Sequence, residues 1–157
     1  MIIDGAVYRG GVRESTVCEA ADIERAFASM QQGDFMWIGM ADPQQAEMDR
    51  IGAALCLHPL AVEDAVEPHQ RAKVEHYDDH TFVTIHAVQY SDDDVTTNEI
   101  NMILGENYLL TVRHGGTSLQ PARAAAEKLF GSMTHGPTAG LYAVLDMVVD
   151  QYEVVAS

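Results

Sequence analysis

Residues 58–88, HPLAVEDAVEPHQRAKVEHYDDHTFVTIHAV, constrain the fold more than any other stretch, because they set a proline-started helix directly ahead of a long apolar strand. Pro59 suits a first helical turn, where its missing N–H leaves no hydrogen bond unmade. The helix is expected to run through about Val66 and to end before Pro68, with His58 capping or packing at its start. Residues 74–77 read as a short strand. Residues 80–90 read as a longer one, with Phe82, Val83, Ile85 and Val88 divided between its two faces. A turn at residues 67–70 and a polar bend at Asp78-Asp79 join these pieces.

The flanking pattern predicts two short strands within residues 5–18, turning at Gly10-Gly11. Asp22 is expected to cap a short helix whose Ile23, Ala26, Phe27 and Met30 recur at helical spacing, and Gly33-Asp34 to stop it. Residues 35–40 are apolar on both alternating faces, so this strand needs cover on both sides, with Trp37 in the core. Asp42-Pro43-Gln44-Gln45 reads as a capped helix start, followed by a buried stripe of Met48, Ile51 and Leu55. Cys56 is expected in the core.

Past the long strand, residues 91–94 form a turn. Residues 99–104 and 108–112 then make a hairpin around Gly105-Glu106-Asn107. His114-Gly115-Gly116 is a loop. Residues 119–130 are helical, with Leu119, Ala122, Ala126, Leu129 and Phe130 inward, and residues 131–137 break the chain. A last helix from Thr138 carries Leu141, Val144, Leu145, Val148, Tyr152 and Val155 on one face, and no signal caps its far end. The order implies an α/β fold: a mixed, partly antiparallel sheet with helices on both faces.

The charge balance narrows function. Nine basic residues against 24 acidic give −15, a poor surface for nucleic acid and a good one for cations. Cys18 and Cys56 form no Cys-x-x-Cys pair and no disulfide framework, which fits a reducing cytosol. No signal peptide starts the chain, and no window reaches the roughly 18 apolar residues of a membrane span.

Glu63 and Asp64 are successive on a helix, about 100° apart, so they cannot both face an apolar core. Asp146, Asp150 and Glu153 fall in one stripe of the last helix, and no Lys or Arg follows residue 128. Hard divalent ions take oxygen ligands, and Mg2+ keeps much of its water while using one or two carboxylates. Acidic groups on two helices can therefore hold a hydrated ion, or simply form a solvated face. His76 and His80, four apart, sit in a strand–turn region that suits zinc poorly. His86 reads as a hydrogen-bonded interior residue. No Gly-x-Ser-x-Gly elbow, phosphate loop or nucleophile–base constellation is present, so the chain does not read as an enzyme.

Several spaced pieces agree in order with one family. They are His58-Pro59-Leu60, Glu63-Asp64, His69-Gln70-Arg71, Lys73-Val74-Glu75 and the aspartates after them, then residues 98–112 and residues 141–152. The chain resembles the cytoplasmic N-terminal domain of the CorA magnesium and cobalt transporters from about Trp37 to Ser157, and less over its first 35 residues. Ala72 stands where a proline is common in that family. The resemblance implies a cytoplasmic α/β/α domain over residues 1–137, with residues 138–157 starting a long stalk helix. The membrane segments and their Gly-Met-Asn motif would lie outside this sequence. It also implies a cell-membrane homopentamer with no nucleic-acid partner. Between its subunits Glu63, Asp64 and Asp146 would bind Mg2+, or Co2+ or Ni2+ in its place, with Asp150 as an adjacent carboxylate. High internal Mg2+ would then hold the assembly closed. A zinc transporter of the related ZntB branch and a free-standing metal-binding or interaction module are the alternatives.

Overall fold

The computed structural model describes residues 1–116, 118–130 and 136–156, without the side chains of Ser91 and Phe130. Ile2–Arg9 (β1) and Val12–Thr16 (β2) form a hairpin through Gly10 and Gly11, whose positive φ angles (59° and 78°) suit residues without a Cβ. Phe35–Ala41 (β3) is buried along nearly its whole length, as its two-sided apolar pattern demands. Lys73–His76 (β4), His80–Ser91 (β5), Asp94–Gly105 (β6) and Tyr108–His114 (β7) follow as an antiparallel run. All seven strands share one sheet in the order β2-β1-β3-β7-β6-β5-β4. The β3–β7 pair is parallel, which makes the sheet mixed.

Helices Ala20–Ser29 (α1), Gln45–Leu55 (α2) and Pro59–Val66 (α3) cover one face. There Ile23, Met48, Ile51, Leu55, Ala61 and Ala65 share a core with Met36, Ile38, Leu110 and Val112. Helices Gln120–Phe130 (α4) and Pro137–Ala156 (α5) cover the other face, where Ala122, Ala126, Val144 and Val148 join Trp37, Ile100, Met102 and Leu109. Neighbours on β3 thus feed opposite layers, Met36 and Ile38 one, Phe35 and Trp37 the other, as the alternation of a strand requires. The architecture is the α/β sandwich that the sequence pattern implied.

Four local expectations are corrected. Glu19 is the N-cap of α1, and Asp22 stands at its third position, where Oδ2 accepts the N–H groups of Cys18 (2.8 Å) and Glu19 (3.2 Å). A capping box lets either acid serve the same end, so spacing alone does not separate the two positions. Next, α2 begins at Gln45, because Asp42 takes a left-handed backbone (φ 43°) that cannot lead straight into a helical turn. Cys56 is exposed, for it occupies the left-handed C-cap of α2 (φ 57°) instead of the buried stripe. Leu129 is also exposed: α4 buries Ala122, Arg123 and Ala126 instead. The expected inward placement of Phe130, most of the break at residues 131–137, and His135 lie outside the described residues.

Gly5 on β1 permits the next connection. Val17 follows β2, and its N–H donates to the Gly5 carbonyl (2.8 Å). A methyl group on Gly5 would lie 2.4 Å from the Val17 carbonyl oxygen, a backbone atom that moves only with the main chain after β2. Gly5→Ala is expected to destabilise the chain by about 1–3 kcal/mol. A lower urea midpoint is the readout; an unchanged one would show that the β1–Val17 contact yields without cost.

Candidate cation site

The expected ligands sit on two helices, α3 and α5. In α3, the Nδ1 of His58 accepts the N–H of Leu60 (3.1 Å), capping the first turn, and Pro59 fills the position whose N–H needs no partner. Ala61 and Ala65 point into the core, which turns Glu63 outward and leaves Asp64 half-buried at the helix flank. Glu63 lines an open cleft between α2 and α3 together with Asp49, Cys56 and Glu67.

Asp64 is already engaged. Its Oδ2 lies 2.8 Å from the Lys73 ammonium, which also reaches Glu75 Oε1 at 3.2 Å and Gln70 Oε1 at 3.4 Å. The hydrogen bond that Lys73 donates to Asp64, ahead of the opposing effect of burial and the further bond it donates to Glu75, raises the Lys73 pKa above its ordinary value. Glu75 is held below the usual carboxylate range by the Tyr77 hydroxyl (2.9 Å) first and by Lys73 second. Burial, then the Glu75 bond, pushes the Tyr77 hydroxyl up to about 12.

On α5, Asp146, Asp150 and Glu153 are exposed, and no described residue forms an ion pair with them. Asp146 and Asp150 line a groove against α4 with Pro121, Ala125 and Tyr142. Since α3 and α5 pack on opposite faces of the sheet, one chain does not bring Glu63 and Asp64 to Asp146 and Asp150. Among the described residues, no three His, Cys, Asp or Glu side chains converge closely enough to hold a metal ion.

His58, His76, His80, His86 and His114 bond within the scaffold. His80 is buried, with Nδ1 2.5 Å from Asp79 Oδ1 and Nε2 accepting the N–H of His58 (3.3 Å). His76 Nδ1 lies 3.3 Å from Thr81 Oγ1, so the two do not form a ligand pair. His86 Nε2 lies 2.8 Å from the Gln70 carbonyl, the interior bond expected of it. The Gln70 N–H in turn donates to the buried carboxylate of Glu99 (2.6 Å). That pair of contacts pins the α3–β4 loop and so places Lys73. Lys73 and Glu99 were not legible as site neighbours: nine residues separate Lys73 from Asp64 and 29 separate Glu99 from Gln70.

The mixed sheet between two helical layers, with carboxylates on both outer surfaces, defines an α/β sandwich domain. The chain belongs to the family described as CorA-like Mg2+ transporter protein, whose model matches residues 32–157. It is 30% identical over 120 residues to YfjQ of Bacillus subtilis (strain 168), a candidate metal ion transporter, covering 74% of this chain and 36% of that protein. Its fold is similar to the soluble domain of CorA from Methanocaldococcus jannaschii (TM-score 0.64, 18% identity, 96% of this chain and 58% of that one). The cytoplasmic domain of ZntB from Vibrio parahaemolyticus RIMD 2210633 is also similar (TM-score 0.68, 10% identity, 99% and 60%). The chain thus spans about a third of the length of YfjQ. Among the described residues, no helix is long and apolar enough to cross a membrane.

Proposed function

We propose that this chain is the cytoplasmic regulatory domain of a membrane transporter for divalent cations. Residues 1–137 are its α/β body, and residues 138–157 start a stalk helix leading toward the membrane. Family membership supports the transporter assignment. The observation that carries the sensing role is the exposed stripe of Asp146, Asp150 and Glu153, without a basic partner among the described residues. Like charges at this spacing repel, by a few tenths of a kcal/mol per pair, and an arriving cation relieves them.

The ion sits between neighbouring subunits of a homo-oligomer, a homopentamer by the family resemblance. Glu63 and Asp64 of one subunit meet Asp146 of the next, with Asp150 beside it. Mg2+ is the first choice, with Co2+ or Ni2+ as alternative divalent ions, since carboxylate oxygens and retained water suit a hard ion. Copies carrying −15 each repel until a bridging ion offsets the charge. Filled sites then favour the closed assembly, and depletion releases it.

Calorimetric titration of the full-length protein with Mg2+ tests this. Asp64→Ala and Asp146→Ala together are expected to weaken binding by about tenfold or more. An unchanged affinity would remove both positions from the mechanism. The likeness to the ZntB domain supports a second reading, a zinc transporter on the same scaffold. Zn2+ flux without Mg2+ flux through the full-length protein would favour it.

A further inference from the structure

We infer that Lys73 is a tethered competitor for the cation: its ammonium occupies Asp64 while the site is empty and moves to Glu75 when a divalent ion arrives. The inference rests on the reading of Asp64 as a cation ligand. Lys73 Nζ stands between two carboxylate oxygens, 2.8 Å from Asp64 Oδ2 and 3.2 Å from Glu75 Oε1. It is largely covered, with its side chain 14% exposed against 23% for Asp64, so bulk salt screens the pair less than a surface contact. Nζ also stands over the Phe82 ring, 5.8 Å from its centroid.

The second acceptor is what makes the arrangement an exchange rather than a lock. Glu75 lies two residues along β4, is steadied by the Tyr77 hydroxyl at 2.9 Å, and already shares the ammonium. A lysine ammonium is a compact charge with three donors on a flexible stem, so it can give up Asp64 and keep Glu75 and Gln70. A divalent ion that binds Asp64 therefore strands no charge. With the site empty, Asp64 is not left as an uncompensated, half-buried anion. Its loop is held from both sides, by Gln70 N–H on Glu99 and His86 Nε2 on the Gln70 carbonyl, so Lys73 returns to the same place. The consequence is a higher concentration threshold: the ion must displace a resident cation before it fills the site.

Mg2+ titration of the full-length protein by calorimetry, with thermal melting of each variant, tests the exchange. Lys73→Met is expected to bind Mg2+ about five- to tenfold tighter than the parent. Arg25→Met, on α1 where its partner is Asp22, removes the same charge away from Asp64 and from α5 and is expected to change affinity by less than about twofold. Lys73→Arg keeps the charge and the fold but grips a carboxylate with two parallel bonds, so it is expected to bind Mg2+ about threefold more weakly. Asp64→Asn is expected to weaken binding by about tenfold and to abolish the gain from Lys73→Met in the double variant. No gain in Lys73→Met, an equal gain in Arg25→Met, or tighter binding by Lys73→Arg would overturn the exchange, while the Asp64→Asn loss would leave the site reading intact. An unchanged affinity in Asp64→Asn would overturn both.

Discussion

Arg123→Ala is expected to destabilise the chain by about 3–5 kcal/mol, the cost of removing one partner from a buried charged network. Arg123 is 3% exposed, and every arm of its guanidinium is used. Nη1 donates to the Tyr8 hydroxyl (3.2 Å) and the Trp37 carbonyl (3.2 Å). Nη2 donates to the Asp4 carbonyl (2.9 Å) and again to Trp37 (3.2 Å), and Nε faces Asp4 Oδ2 at 3.2 Å. The β1–β3 ladder shifts register between Ile2 and Asp4, and the guanidinium bonds carbonyls on both strands beside that irregularity. Alanine would leave those buried acceptors without donors.

Burial alone would raise the Asp4 pKa, but the Arg13 bond and the charges of Arg123 and Arg13 outweigh it and hold the group below its ordinary value. Its contribution is therefore complete above pH 3.8 and is lost as pH falls through the lowered folded value. Urea unfolding is the measurement, together with a melting temperature lowered by roughly 10 °C for a chain of this size. A loss under about 1 kcal/mol would mean that water replaces the guanidinium at those carbonyls.

Trp37→Ala is expected to cost a further about 3–5 kcal/mol as a single change. Trp37 is 1% exposed, donates from Nε1 to Thr111 Oγ1 (3.2 Å), and lies under the Arg123 guanidinium at 4.4 Å from its ring. α5 closes over it at Gly140, where a methyl group would stand 2.8 Å from Leu109 Cδ2 and 3.1 Å from the indole. The two losses overlap, because each single variant already breaks the same stack. The double variant is expected to lose about 1 kcal/mol less than the sum of the singles. Additivity across the four proteins would show that the indole and the guanidinium are independent neighbours.

Much of the architecture was legible in order along the chain. Pro59 and Pro68 bracket α3, and the alternation of residues 35–40 announced a strand covered on both faces. The acidic stripe on α5 also follows from spacing alone, since a helix places residues 146, 150 and 153 on one side. Arg123 was not legible. A cation within an alanine-rich helix reads as solvent-facing, and its partners on β1 and β3 lie 86 to 119 residues away. Lys73 was hidden for the same reason: local rules treat a charge as solvated, and only the fold of the α3–β4 loop sets it between Asp64 and Glu75.

By itself the sequence determined which segments are helix or strand, most of the residues they bury, and that the chain is acidic, because these depend on period and composition within a few residues. Only the tertiary structure decided that α3 and α5 lie on opposite sides of the sheet, that Arg123 is buried, and that Asp64 carries its own counter-ion. Those outcomes depend on distances between residues far apart in the chain, and no local pattern encodes such distances.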